Sequence, residues 1–125
     1  MSLSEADQRS VLDRYFAAMR QGRSAEADMM ALFADEAIYV EPFSGLPHAA
    51  VGKAAILERL KIGWDKPLPD LELDVLTIDI VGAEASSTWE CRSSALPTAV
   101  QGRDTYRFDA DGLITRLEVS IDLPA

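Results

Sequence analysis

The first residues of the chain carry apolar side chains at helical spacing. Apolar residues recur every three or four positions over 5–21, which predicts an amphipathic helix with Tyr15 on its apolar stripe. Ser4 and Asp7 resemble a capping box at the start of this helix, and Gly22 favours its end. One face of the helix is therefore expected to pack against the rest of the domain.

Two shorter helices and a strand are predicted before the middle of the chain. One helix begins at Ser24, and another covers 53–62, where Gly63 favours its end. A strand is predicted over 37–41, and a loop rich in Pro, Gly and Ser over 42–52. The helix from Ser24 is expected to carry Met29, Leu32 and Phe33 on one face.

The second half of the chain changes to the alternation of a β-sheet. Apolar residues at 71, 73 and 75 lie in one phase and those at 76, 78 and 80 in the other, which predicts a β-bulge. Further strands are predicted over 84–96, 98–108 and 113–123, with a hairpin turn at 109–112 (DADG). Helices followed by an antiparallel meander indicate an α+β domain, whose bent sheet and helices enclose a pocket for a small organic molecule.

Length, charge and cysteine content narrow the class of protein. A chain of 125 residues is expected to form one domain, covering 1–125. Its net charge of −9, with scattered basic residues, argues against nucleic acid or an anionic membrane as a partner. The single cysteine, the N-terminus without signal-peptide character and the lack of a long apolar run favour a cytoplasmic location.

Common catalytic and cofactor motifs are missing from the sequence. There is no Gly-rich phosphate loop, no His or Cys pair at metal-binding spacing and no Gly-x-Ser-x-Gly segment. His48, the only histidine, lies in a Pro/Ala-rich loop and is expected at the surface. Cys91 shares a strand face with Trp89, which favours a buried, unreactive thiol. No metal or cofactor is expected.

Asp104 is the most informative polar residue. Strand alternation places it on the same face as Tyr106 and Phe108, which is the apolar face of its strand. A carboxylate there must either be paired or take up a proton and become a hydrogen-bond donor. Both outcomes are typical of a functional site. The alternative is a structural hydrogen bond to a backbone amide or to an arginine at the rim of the sheet.

Tyr15 and Glu41 are two further candidates. The hydroxyl of Tyr15 is expected to point inward from the apolar stripe of the first helix and to need a partner. Glu41 precedes Pro42, which favours an extended backbone and places the carboxylate at the end of a strand. A core tyrosine and a solvated strand-end glutamate remain the alternatives for these two positions.

Several segments resemble bacterial ketosteroid isomerases, in the same order along nearly the whole chain. This resemblance places the sequence in the nuclear-transport-factor-2-like superfamily, which includes the SnoaL-like polyketide cyclases, and it implies a cone-shaped, barrel-like fold and a homodimer. The segments are 11–15 (VLDRY), 32–37 (LFADEA), 41–42 (EP), 52–56 (GKAAI) and 104–108 (DTYRF).

The resemblance also implies a reaction and its residues. Tyr15 and a protonated Asp104 would donate hydrogen bonds to the oxygen of a dienolate, and Glu41, in place of the usual Asp, would shuttle the proton. The reaction would shift a double bond beside a ketone in a small apolar, steroid- or polyketide-like molecule, without a cofactor. The expected pocket walls are Phe33, Trp89, Tyr106 and Phe108.

Two alternatives remain open from the sequence. A lyase, cyclase or hydrolase of the same fold would group Asp104 with Asp122 around a positioned water. A non-catalytic ligand-binding or dimerisation module would use its carboxylates only for structural hydrogen bonds. Fold resemblance by itself does not choose between these functions.

Overall fold

A computed structural model describes residues 4–122. It contains three α-helices, a 3₁₀ turn at Gly22–Ala25 and six strands. The helices are α1 (Glu5–Gln21), α2 (Glu26–Met30) and α3 (Lys53–Trp64). The strands are β1 (Phe33–Val40), β2 (Ala50–Val51), β3 (Glu72–Val81), β4 (Glu84–Arg92), β5 (Val100–Phe108) and β6 (Ile114–Asp122).

All six strands join one curved sheet in the order β2-β1-β6-β5-β4-β3. Strands β3 to β6 form the predicted antiparallel meander. The curved sheet, predicted as antiparallel, is mixed, because β1 pairs with β6 in parallel. The parallel pairing brings the strand that follows the first helices beside the last strand of the chain. The result is the predicted α+β class, with a mixed sheet that is not closed into a barrel within the described residues.

The first helix follows its sequence signals. The Ser4 hydroxyl accepts the backbone N–H of Asp7 at 3.1 Å, and Gly22 ends the helix with φ 74°. Arg20, in the last turn, donates two hydrogen bonds to the carbonyl of Leu73 at 3.0 and 3.1 Å. These bonds fix the end of α1 against β3, the strand at one edge of the sheet.

Other boundaries differ from the predictions in ways the packing explains. Phe33 begins β1 instead of continuing the short helix, because it pairs with Ile114 of β6. Gly63 does not end α3, which continues to Trp64. The strand predicted over 84–96 ends at Arg92. Residue 123, the predicted end of the last strand, lies outside the described residues.

The β-bulge predicted in β3 is present. Val75 pairs with Trp89 while Thr77 pairs with Thr88, so Leu76 is the extra residue on the bulged strand. Leu76 is half exposed, whereas Val75 and Ile78 are partly buried against the core. A bulge bends its strand and increases the local twist, which contributes to the curvature of the sheet over the helices.

Strand β5 has one buried and one exposed face. Gly102, Asp104, Tyr106 and Phe108 are buried, and the four residues that alternate with them are exposed. The strand-phase prediction that Asp104 shares a face with the two aromatic residues is confirmed. No helix within residues 4–122 is long and apolar enough to cross a membrane.

Candidate functional site

A cavity of about 300 Å³ lies between α1 and the inner face of the sheet. Its volume is at the lower end of the range of small-molecule sites, about 300–1,000 Å³. Four of its lining residues carry a polar group, and they are Asp104, Tyr15, Trp89 and Cys91. The other lining side chains are apolar, and they are Phe16, Met19, Phe43, Leu68, Leu71, Leu73, Leu96, Val100, Val119 and Ile121.

The carboxylate of Asp104 is held by two neutral donors. Only 2% of this residue is exposed. Trp89 Nε1 donates to Oδ1 at 3.0 Å, and the hydroxyl of Tyr106 donates to Oδ2 at 2.8 Å. Burial raises the pKa of Asp104 to about 6, although both hydrogen bonds act to lower it. Asp104 therefore titrates just below neutral pH and is mostly ionised at pH 7.

Tyr106 is oriented by a second hydrogen bond. Its hydroxyl lies 2.9 Å from Oγ of Ser87, on the neighbouring strand. Because the Tyr106 proton is directed to Asp104, Ser87 acts as the donor in this contact. Tyr106 and Ser87 are fully buried, so this chain fixes one carboxylate oxygen from behind. Each oxygen of an ionised carboxylate keeps further acceptor capacity for a ligand.

Tyr15 supplies a hydroxyl near Asp104. Its ring packs edge-on against Tyr106, with centroids 5.7 Å apart. Within residues 4–121 the hydroxyl makes no hydrogen bond, and the side chain lines the cavity. Burial, and then the charge of Asp104, raise the pKa of Tyr15 well above its ordinary value. Tyr15 therefore remains a neutral hydrogen-bond donor at physiological pH.

Glu41 lies elsewhere, in a buried ion pair with α3. Its Oε1 is 3.0 Å from Nη1 of Arg59, with side-chain exposures of 3% and 6%. Glu41 also accepts the backbone N–H groups of Phe43 at 2.6 Å and Ser44 at 2.8 Å, together with the Ser44 hydroxyl. Burial raises the pKa of Glu41, but the hydrogen bonds from Ser44, Phe43 and Arg59 outweigh it and leave the pKa lowered.

Glu41 is absent from the cavity lining, so the structure brings together only two of the three predicted catalytic residues. Arg59 also donates to the carbonyl of His48 at 2.6 Å, which ties the 42–52 loop to α3. No local sequence pattern connects Arg59 with Glu41, because the whole loop separates them. An arginine on the inward face of α3, near the apolar Ile56 and Leu60, was the signal available.

The predicted pocket walls are only partly those of the cavity. Trp89 lines it, whereas Phe33, Tyr106 and Phe108 are buried in the core outside its lining. Sequence reasoning missed the loop residues at its mouth. Apolar side chains in Pro- and Gly-rich loops were the signal that could have found them, and they are Phe43, Leu68, Leu71 and Leu96.

Cys91, His48 and Asp122 are the other residues considered in the sequence. Cys91 is partly buried in the cavity wall, and burial raises the pKa of its thiol. His48 is exposed in its loop. Asp122 pairs with Gln101 through the backbone, but its side chain lies outside the described part of the chain, so its grouping with Asp104 stays a prediction. Residues 4–121 contain no group of three His, Cys, Asp or Glu side chains able to hold a metal ion.

A family model for the SnoaL-like domain matches residues 12–117 of the chain. No curated protein matches its sequence. A solved protein of unknown function with a cystatin-like fold, from Methylobium petroleophilum PM1, is similar with a TM-score of 0.80 and 24% identity, over 100% of this chain and 82% of that chain. A steroid delta-isomerase from Pseudomonas aeruginosa is similar with a TM-score of 0.72 and 18% identity, over 98% and 85% of the two chains.

A de novo designed protein with a curved β-sheet has the same fold. Its TM-score is 0.76 at 12% identity, over 96% of this chain and 88% of that chain. Since a designed scaffold and an isomerase both share the architecture, these similarities show the fold and leave the activity to be argued from the site.

Proposed function

The chain belongs to the SnoaL-like domain family, and on that basis we propose that it binds a small, largely apolar carbonyl compound and transfers a proton on it without a cofactor. One observation carries this proposal. A buried carboxylate, Asp104, and the hydroxyl of Tyr15, which has no hydrogen-bond partner within residues 4–121, line one otherwise apolar cavity. An apolar volume with a few convergent polar groups and a perturbed pKa is typical of an active site.

The proposed chemistry is a double-bond shift through an enolate. Tyr15 donates a hydrogen bond to the carbonyl oxygen of the ligand, and Asp104 removes a proton from a neighbouring carbon. The C–H electrons form the enolate, whose negative oxygen the Tyr15 hydroxyl stabilises. Asp104 then delivers a proton to a different carbon of the conjugated system, so the product is an isomer and the enzyme is unchanged.

The pKa of Asp104 suits the role of base. A general base works best when its pKa lies near the operating pH, because it is then both ionised and basic enough to accept a proton. A value of about 6 meets this condition at neutral pH, where an ordinary aspartate would be a weaker base. The hydrogen bonds from Trp89 and Tyr106 hold the carboxylate in one orientation.

This assignment differs from the one that the isomerase resemblance implies. There, Glu41 is the base and Asp104 a protonated donor. For Glu41 to act as base, its buried contact with Arg59 and its bonds to the 42–52 loop would have to break. We therefore assign the proton transfer to Asp104 and give Glu41 the role of holding the loop.

A ligand-binding module without catalysis is the second candidate. The observation that favours it is that both oxygens of Asp104 already accept a protein hydrogen bond. In that case Asp104 would only orient a bound molecule through its remaining lone pairs. The two functions differ in whether a C–H bond of the ligand is broken.

Turnover of a β,γ-unsaturated 3-ketosteroid separates the two candidates. The conjugated product absorbs in the ultraviolet, so isomerisation is followed directly. We expect an enzyme-dependent rise in absorbance that is lost in Asp104→Asn. A ligand that binds but is returned unchanged, in the steroid and in smaller β,γ-unsaturated ketones, would favour the binding module.

We also propose that the protein is a homodimer located in the cytoplasm. The dimer is expected from the isomerase resemblance, and light scattering of the protein in solution should give twice the mass of the chain. The location is expected from the single cysteine, Cys91, which is free.

A further inference from the structure

The indole of Trp89 lies over Gly102. The two residues are directly paired between β4 and β5. A Cβ atom at Gly102 would lie 2.3 Å from Cζ2 and 2.6 Å from Cη2 of the indole, and 2.8 Å from the carbonyl oxygen of Ser120. Gly102 does not have a positive φ, so backbone freedom does not explain the glycine. The indole of Trp89 occupies the space that a side chain at position 102 would need.

This placement determines where the indole N–H points. Asp104 follows Gly102 by two residues and therefore lies on the same face of β5. With the six-membered ring over Gly102, Nε1 of Trp89 is 3.0 Å from Oδ1 of Asp104, and the indole forms part of the cavity wall. A side chain at position 102 would displace the ring and break this hydrogen bond.

We propose that Gly102 and Trp89 act together as a positioning pair, which orients the Asp104 carboxylate in the cavity and favours its ionised form. The proposal rests on the role of Asp104 as proton acceptor that is argued above. Gly102 touches neither the cavity nor Asp104 through a side chain, so it acts only through Trp89.

The titratable groups that residues 4–121 place around Asp104 are neutral. The charge of Asp104 raises the pKa of the phenols of Tyr15 on α1, Tyr39 on β1 and Tyr106 on β5, and the thiol of Cys91 on β4 lines the same cavity. Val119, its partner on β6, is apolar. Burial raises the pKa of Asp104, and the hydrogen bonds from Trp89 and then Tyr106 oppose that effect. Losing the indole N–H should therefore raise the pKa further.

The test is a carboxyl-carbon NMR titration of Asp104, with its resonance assigned by its absence from Asp104→Asn. Trp89→Phe keeps an aromatic wall but removes the N–H, and should raise the pKa of Asp104 by about one unit or more, the size expected for a hydrogen bond to a charged group. Gly102→Ala should also raise the pKa of Asp104. Gly63→Ala, where no atom lies within 4 Å of the added carbon, is the matched control and should leave it unchanged.

The double variant Trp89→Phe/Gly102→Ala shows whether Gly102 acts through the indole. If it does, the alanine adds no further shift once the indole is gone. The proposal is wrong if Gly102→Ala shifts the pKa of Asp104 equally in the wild type and in Trp89→Phe. It is also wrong if Trp89→Phe alone leaves that pKa unchanged. The titration needs no substrate, so its result is independent of whether the ketone assay shows turnover.

A folding defect in Gly102→Ala leaves the proposal testable. Removing the six-membered indole ring in the double variant removes the two shortest contacts, so it should restore folded protein. If the double variant also fails to fold, the contact with the Ser120 carbonyl determines the glycine, and the proposed pairing is wrong.

Discussion

Glu41 and Arg59 form a buried ion pair, with 3.0 Å between Oε1 and Nη1, that joins the end of β1 to α3. Both side chains also bond the 42–52 loop, Glu41 through Phe43 and Ser44 and Arg59 through the carbonyl of His48. Phe43 in that loop lines the mouth of the cavity. The pair therefore fixes one side of the binding site from outside its lining.

Glu41→Gln should destabilise the protein without removing proton transfer. The change leaves the guanidinium of Arg59 buried without a charged partner, which costs about 3 kcal/mol or more in the free energy of unfolding. Urea denaturation measures this loss. Glu84→Gln is the control, because its ion pair with Arg107 is exposed and should contribute less than about 1 kcal/mol. A stable Glu41→Gln variant that has lost all turnover would instead identify Glu41 as the base.

Asp104→Asn should change how stability depends on pH. The pKa of Asp104 is about 6 in the folded protein against 3.8 ordinarily, so the folded state holds this proton more tightly. The stabilisation that results is complete below about pH 4 and is lost as pH rises through about 6, a difference of roughly 3 kcal/mol. Asparagine has no such dependence.

The measurement is the free energy of unfolding of both proteins between pH 4 and 7. Asp104→Asn should gain stability relative to the wild type across this window. Asp79→Asn, on the exposed side of β3, controls for the loss of one negative charge. A constant difference between Asp104→Asn and the wild type would show that Asp104 has no raised pKa.

Tyr15→Phe should reduce turnover of a ketone substrate by about a hundredfold, the usual effect of losing one donor to a developing oxyanion. Binding should change less, because the ring and its packing against Tyr106 remain. Steady-state kinetics separate kcat from KM. Tyr39→Phe is the control, because it removes a buried phenol that does not line the cavity. Its turnover should fall far less than that of Tyr15→Phe. Equal losses in both variants would argue against Tyr15 as the donor.

Leu73→Trp should block the cavity. Leu73 lines it from β3, and the larger ring would fill much of a volume of about 300 Å³. Binding of the neutral fluorescent ketone Prodan, followed by its emission shift, should weaken at least tenfold. Val81→Trp is the control, since Val81 is 79% exposed at the end of the same strand. Unchanged Prodan binding in Leu73→Trp would place the ligand elsewhere.

Local sequence rules predicted the features that depend on neighbouring residues. The alternation around Asp104 predicted its buried position, and the phase change near Leu76 predicted the bulge. The turn at 109–112 is confirmed, with Asp109 Oδ1 accepting the N–H groups of Asp111 and Leu113. Each of these follows from side-chain periodicity or turn chemistry within a few residues.

Contacts between distant segments could not be predicted in this way. The parallel pairing of β1 with β6 joins the first strand to the last one, and the partner of Glu41 is on a later helix. The resemblance to isomerases placed Glu41 in the site by its position before Pro42. Its environment depends on Arg59, which no local pattern connects to it.

Deuterium exchange at the carbon beside a ketone tests the assignment of Asp104 most directly, because it requires only proton removal and no particular product. Cyclic β,γ-unsaturated ketones are incubated with the protein in D₂O, and deuterium incorporation is measured by NMR across a range of pH. The exchange rate should rise with pH to a plateau above about pH 6, following ionisation of Asp104, and fall to the buffer rate in Asp104→Asn. Exchange that is equally fast in Asp104→Asn, or a wild type that neither exchanges deuterium nor shifts the double bond above the buffer rate, would contradict the proposed role.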